Sequence, residues 1–300
     1  MTTSSTASST TSASFEDEVV LPRRRYGQWL ASALVVIISL LVLKTVATNE
    51  HFQWDVVGEY FTADTVLAGV ARTLQLTVIA MVIGLALGIP LAVMRQSSNR
   101  LLSGFSFLFV WFFRGTPLLV QIVFWFNAAA LFPRVVLKVP FGPTIYSADT
   151  NSLVTPLLAA ILALGLNQGA YNAEIVRAGL LAVDHGQTEA ASALGMTNGQ
   201  LLRKVVLPQA MRVIVPPMGN ETISMLKVTS LVSVISLSEL LYSVQAIYQA
   251  NYKVIPLLLV ASIWYLILVS VLSIGQYYLE RRFGRGYGAL RQITVQKEAS

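Results

Sequence analysis

An all-α membrane protein is the fold class this sequence predicts, and two observations carry the prediction. Of its 300 residues, 55% are hydrophobic and only 12% are charged, whereas a soluble domain carries about 25% charged residues. The apolar residues also fall in long runs, and a hydrocarbon core of about 30 Å takes roughly 20 of them in a helix. About six such stretches occur, centred on Trp29 to Val46, Leu74 to Val93, Leu101 to Phe126, Leu153 to Arg177, Val213 to Leu240 and Ile255 to Tyr278.

The chain begins with Ser, Thr and Ala from Met1 to Ser14. These offer too little apolar surface to offset ordering entropy, so residues 1–25 read as a disordered cytoplasmic tail. The first stretch has basic residues ahead of it, as the apolar core of a signal peptide would, but the long tail and the continuation to Val46 favour an uncleaved anchor. Residues 26–66 thus form an N-terminal span and an outer segment. Orientation follows from the basic residues of short loops. Arg23, Arg24 and Arg25 precede span one, Arg95 and Arg100 separate spans two and three, and Arg203, Lys204 and Arg212 separate spans four and five. Arg281, Arg282, Arg285, Arg291 and Lys297 follow span six. Both termini are therefore expected in the cytoplasm, with residues 283–300 as a C-terminal tail. The pI near 9.6 is then a matter of topology rather than of nucleic-acid binding.

Span two carries Gly84 and Gly88, a GxxxG spacing that lets a second helix approach closely. Span three is interrupted by Arg114, Gly115 and Pro117 and is expected to break there, exposing helix termini that hold charged solutes at mid-membrane in transporters. Gln121, seven residues after Arg114, is expected on the same face. The outer segment that follows, "PRVVLKVPFGPTIYSADTNS", reads as an ordered loop or short re-entrant element. In span four, Asn167, Tyr171, Glu174 and Arg177 make one polar stripe at helical spacing, and in span five Asn220, Ser224 and Lys227 make another. Glu221 and Glu239 add charge. Ionisable groups in a membrane usually face a bundle interior or a water-filled path, so the polar residues of these three spans point to one shared cavity. The opposing reading pairs Glu174 with Arg177 purely as a structural clip.

The absence of cysteine excludes disulfides and thiol chemistry. Only His51 and His185 are present, far apart, which excludes a histidine-rich metal site. No Gly-Lys dipeptide occurs, so the chain has no phosphate-binding loop for ATP. Neither a metal nor another cofactor is expected.

One segment differs from its apolar surroundings: "EAASALGMTNGQLLRKVVLPQA", Glu189 to Ala210. A helix from about Gln187 to Leu194 ends at Gly195, which accepts the left-handed conformation of a helix C-cap. Thr197 and Gln200 form a capping box for a second helix, which Pro208 is expected to stop. Leu201, Leu202, Val205 and Val206 share one face and Gln200, Arg203 and Lys204 the other. Ala190 and Ala191 leave room for a partner's backbone. A capped amphipathic hairpin of this kind serves equally to dock a protein or to lie on lipid headgroups.

The spacing Glu189-Ala190-Ala191, Gly195, Val205-x-Leu207-Pro208 resembles the EAA loop of ABC-importer permeases, here residues 184–210. Thr73 to Arg95, Phe113 to Phe126, Ala170 to Leu180 and Leu226 to Leu240 resemble the polar amino-acid uptake branch of that family. The resemblance covers about residues 67–282 and implies a five-span permease core, to which the N-terminal span is an addition. It implies that Glu189, Ala190, Ala191, Gly195, Leu207 and Pro208 couple to an ATPase, and that the chain itself is not an enzyme. It further implies two cytoplasmic ATP-binding cassette subunits, a second permease subunit and an extracytoplasmic solute-binding protein, in a bacterial plasma membrane. The substrate is then a polar or charged amino acid, with glutamate or glutamine favoured. Its pathway is expected to use Arg114, Gln121, Asn167, Tyr171, Glu174, Asn220, Ser224 and Lys227. An ion-coupled secondary carrier, with Glu174 as its proton site, is the competing reading.

Overall fold

A computed structural model describes residues 26–139 and 144–283. The two expected tails lie outside these residues, apart from Phe283, which ends the last helix. The chain divides after Phe52 into two compact units. The first contains α1 (Tyr26–Thr48) and a 3-10 turn, Glu50–Phe52. Apolar side chains cover α1 on every side and are exposed along it, as a helix surrounded by hydrocarbon requires.

The second unit starts at Gln53 with α2 (Trp54–Phe61), whose Val56 and Val57 are buried. It continues through α3 (Asp64–Arg95), α4 (Arg100–Gly115), α5 (Leu118–Phe126) and α6 (Ala128–Leu131). Strands β1 (Arg134–Lys138) and β2 (Thr144–Asp149) pair antiparallel. Where an ordered loop or short re-entrant element was expected, this outer segment carries a two-stranded pairing, because the β-branched run of Val135 and Val136 finds a partner strand in Ser147 and Ala148. Then come α7 (Thr150–Leu153), α8 (Pro156–Leu181), α9 (His185–Ala193), α10 (Asn198–Leu201), α11 (Leu207–Val228), α12 (Leu240–Asn251) and α13 (Val254–Phe283).

By length and composition α1, α3 and α13 are able to cross a membrane. Two bent pairs add two spans if each is taken as one: α4 with α5, bent by 99°, and the helix from Asn198 to Ile235 with α12, bent by 45°. At about 39 Å, α8 is also long enough, and its buried Asn167, Gln168 and Asn172 make it more polar than the rest. Adding α8 gives the six spans expected.

The centre of the second unit is the seam between α3 and α8. Gly84 and Gly88 on α3 lie against Gln168, Asn172 and Ala173, while Gly165 and Gly169 on α8 lie against Ile83 and Leu87. Each helix thus offers two glycines a turn apart to the large side chains of the other. A Cβ added at Gly88 would stand 2.9 Å from the Ala173 backbone nitrogen, and backbone has nowhere to move. Gly88→Leu is expected to destabilise the fold by about 3 kcal/mol, seen as loss of the monodisperse peak in size-exclusion chromatography. Gly104→Leu, where an added Cβ meets nothing within 4 Å, should leave that peak intact.

The fifth expected span has different limits. Pro208 does not stop the helix: Leu202–Val206 form a π turn that leads straight into α11, with Pro208 in its first turn. The wider turn, closed by Leu207 N–H on the Leu202 carbonyl, makes room for the ring. At the other end α11 tightens into a 3-10 helix, Thr229–Ile235, and breaks at Ser236, whose φ is +58°. Glu239, fully buried, restarts the chain as the N-cap of α12, accepting from Leu241 N–H at 2.9 Å and Tyr242 N–H at 2.7 Å, with the Tyr265 hydroxyl donating at 2.9 Å. Glu239 is thus a cap.

Candidate functional site

The break in span three follows from Pro117. Without an N–H, Pro117 cannot bond the carbonyl of Phe113 four residues earlier, and that carbonyl must be satisfied inside the bundle. Gln121 and Asn167 do so: the side-chain amide of Gln121 donates at 3.0 Å and that of Asn167, from α8, at 2.8 Å. Gln121 also donates to the Thr116 hydroxyl at 2.8 Å, and Asn167 to the Gln121 side-chain oxygen at 3.4 Å. Gln121 is 5% exposed. It braces the break and lies outside the cleft that Arg114 lines, because the chain turns between Arg114 and Gln121 and removes the common helical face expected for them.

Around this break lies a cleft of about 560 Å³. Arg114, Gly115, Thr116 and Pro117 form one wall, Asn167, Gln168 and Tyr171 of α8 a second, and Glu221, Ser224, Met225 and Val228 of α11 a third. The Arg114 guanidinium sits 5.0 Å above the Tyr171 ring, an arrangement that holds a cation without neutralising it. Neither Arg114 nor Glu221 forms an ion pair with any described residue. One cation and one anion thus face the same space, available to a ligand. The first turn of α5 also opens here, adding backbone N–H groups and a partial positive charge.

Besides Gln121, three of the expected pathway residues lie outside this cleft. Glu174, one turn beyond Tyr171, is clipped to Arg177 by two hydrogen bonds, one of 3.0 Å from Arg177 Nε. Asn220 accepts from Gln276 of α13 at 2.9 Å, and Lys227 lines a separate groove with Ser230 and Tyr265. Each of the three spans therefore gives only part of its expected set to the cleft: Arg114, then Asn167 and Tyr171, then Ser224. Gln168 and Glu221 take the vacated places on the cleft wall. The face of α11 that matters runs through Glu221, Ser224, Met225 and Val228, and a search for polar residues alone slips one position because half of that face is apolar. Ser224 and Lys227 stand at a Ser-x-x-Lys spacing, a nucleophile–base motif, but they line different cavities and so make no such pair. Because Arg177 already neutralises Glu174, Glu174→Ala is expected to lower solute uptake less than Glu221→Ala, measured on equal amounts of inserted protein.

The hairpin forms as its caps require. Asp184 caps α9 by accepting from Gly186 N–H at 2.6 Å. Gly195, at φ +77°, closes α9 with its N–H on Ser192 at 3.0 Å, while Met196 N–H reaches the Ala191 carbonyl at 3.2 Å, the paired bonds of a Schellman motif. Thr197 and Gln200 make the reciprocal capping box. Glu189, Ala190, Gly195, Leu207 and Pro208 are exposed. Ala191 differs: at 5% exposed it is turned inward and cannot form part of an outward small-residue patch. The exposed apolar surface comes instead from Leu194, Leu202 and Leu207, at 80%, 51% and 44%.

Residues 84–285 match the family described as binding-protein-dependent transport system inner membrane component. The chain belongs to that family. The matched permease region includes α8, the hairpin and α11, and contains every residue that lines the cleft. The arginine transport system permease protein ArgU of Corynebacterium glutamicum is 42% identical over 282 residues, 93% of this chain and 86% of that protein. The nopaline transport system permease protein NocM of Agrobacterium fabrum is 38% identical, with 69% and 83% covered. A crystal structure of an amino acid ABC transporter with histidines superposes with a TM-score of 0.62 at 34% identity, covering 73% of this chain and 94% of that one. The chain is thus an ABC-importer permease of the polar amino-acid type, a transport subunit with ATP hydrolysis on separate subunits.

Proposed function

We propose that this permease imports a polar amino acid through the cleft at the span-three break, and that arginine is the solute to test first. The observation that carries the reading is the pair of unneutralised opposite charges, Arg114 and Glu221, on walls of one cleft. A zwitterion needs this: Arg114 and the α5 terminus hold its carboxylate, and Glu221 its ammonium. Asn167, Gln168, Tyr171 and Ser224 complete the wall, and about 560 Å³ falls within the usual range for small-ligand sites. The cleft's formal neutrality does not choose among side chains. Arginine comes ahead of glutamate and glutamine because the 42% identical relative is named for arginine.

In this reading two ATP-binding cassette subunits close on the hairpin surface around Glu189, Ala190, Gly195, Leu207 and Pro208. Their closure passes through the π turn into α11, and so moves the wall that carries Glu221. A second permease chain and an extracytoplasmic solute-binding protein complete the assembly, in a bacterial plasma membrane with the hairpin and both termini on the cytoplasmic side. The carrier alternative loses support, since its proton site, Glu174, is held by Arg177. Competition in proteoliposomes containing the full assembly tests the solute: unlabelled arginine should suppress labelled arginine uptake far more than glutamate or glutamine does. Stronger suppression by glutamate would overturn the choice.

A further inference from the structure

We propose that the groove between the first turns of α11 and the last turn of α13 binds the phosphate of an anionic phospholipid. The inference is independent of which solute the permease carries. Leu207, Pro208, Met211 and Arg212 of α11 face Arg282 and Phe283 of α13 across a groove of about 420 Å³. Both arginines are exposed, and neither forms an ion pair with a described residue. Glu280, the one acidic side chain of α13, accepts from Gln276 at 2.7 Å and does not line the groove. Two guanidinium groups from different helices therefore converge on one space, and no described acidic side chain neutralises them.

The other walls are apolar, which sets the occupant. Leu207, Met211 and Phe283 give the groove sides suited to an acyl chain, whereas an acidic protein surface needs only the charges. The groove also lies where a headgroup would be. α13 runs 30 residues and ends at Phe283, about 45 Å at helical rise, which equals a bilayer with its headgroup layers. A guanidinium binds a phosphodiester through two parallel hydrogen bonds, so arginine is the residue such a site needs. A lipid seated here joins α11 to α13 next to Leu207 and Pro208, at the root of the hairpin.

The test uses the full chain from mixed phosphatidylcholine and phosphatidylglycerol vesicles, with native mass spectrometry counting the lipids retained after gentle extraction. Wild type should retain phosphatidylglycerol in preference to phosphatidylcholine, and R212Q/R282Q should reduce that retention at least about tenfold. R212K/R282K, which keeps charge but not the bidentate fork, should fall between them and gives the readout if the glutamine variant does not fold. R100Q/R203Q removes two exposed arginines elsewhere and should retain phosphatidylglycerol like wild type. Equal retention of the two lipids, or equal loss in R100Q/R203Q, would overturn the site. So would displacement of all bound lipid by inorganic phosphate, or a glutamine variant that keeps the lipid but loses a co-purifying ATPase subunit.

Discussion

Glu221→Gln lowers solute uptake by roughly 10- to 150-fold while the permease inserts and assembles normally. The magnitude is that of one hydrogen bond to a charged group, about 1.5–3 kcal/mol, converted at 1.4 kcal/mol per tenfold. The substitution preserves shape, so packing against Gln168 and Met225 is retained and only the anion is lost. Arg114→Gln should produce a similar loss from the other end of the zwitterion. The double variant should lose less than the product of the single effects, because a site missing one charge no longer orients its ligand for the other. Uptake measured on equal amounts of inserted protein checks both, and wild-type rates in both single variants would remove the cleft from the transport path.

The second large effect is at Gly195. Gly195→Asp should abolish coupling, with the ATP-binding subunits lost on purification and uptake reduced to background. Two causes act together. Gly195 lies at φ +77°, where a side chain costs about 1–2 kcal/mol, and an aspartate there would put a carboxylate on the surface that Leu194 and Leu202 leave apolar. Asparagine tolerates the left-handed region best after glycine, so Gly195→Asn separates the causes. If it retains the subunits, charge and not backbone strain is responsible in the aspartate variant. Nothing lies within 4 Å of an added Cβ at this position, so the permease fold itself should survive both changes.

Spans, caps and the hairpin were legible in the sequence because each depends on local chemistry. Apolar runs of helical length, Gly195 as a C-cap and the Thr197–Gln200 box need no knowledge of what packs nearby. The break at Pro117 was legible for the same reason. Arg114, Asn167, Tyr171 and Ser224 were placed together correctly; what could not be read was which of the remaining polar residues met the cleft. Polarity alone placed Gln121 and Glu174 in the pathway, yet Gln121 is consumed by the carbonyl that Pro117 orphans, and Glu174 by Arg177. Gln168 was passed over, and Glu221 was counted only as added charge, because their faces also carry Met225, Val228 and the glycines of the α8 seam. Pro208 misled for a different reason: a proline stops an α-helix from within, but a π turn just before it converts the same residue into a first-turn proline.

The most direct test of the account is the driving force. The permease would be purified with its co-purifying subunits and solute-binding protein, reconstituted into vesicles without an ion gradient, and assayed for labelled arginine accumulation with and without ATP on the hairpin side. Accumulation that requires ATP and disappears with Gly195→Asp is the predicted result. Accumulation that ignores ATP and follows an imposed proton gradient would contradict it and make the chain a secondary carrier.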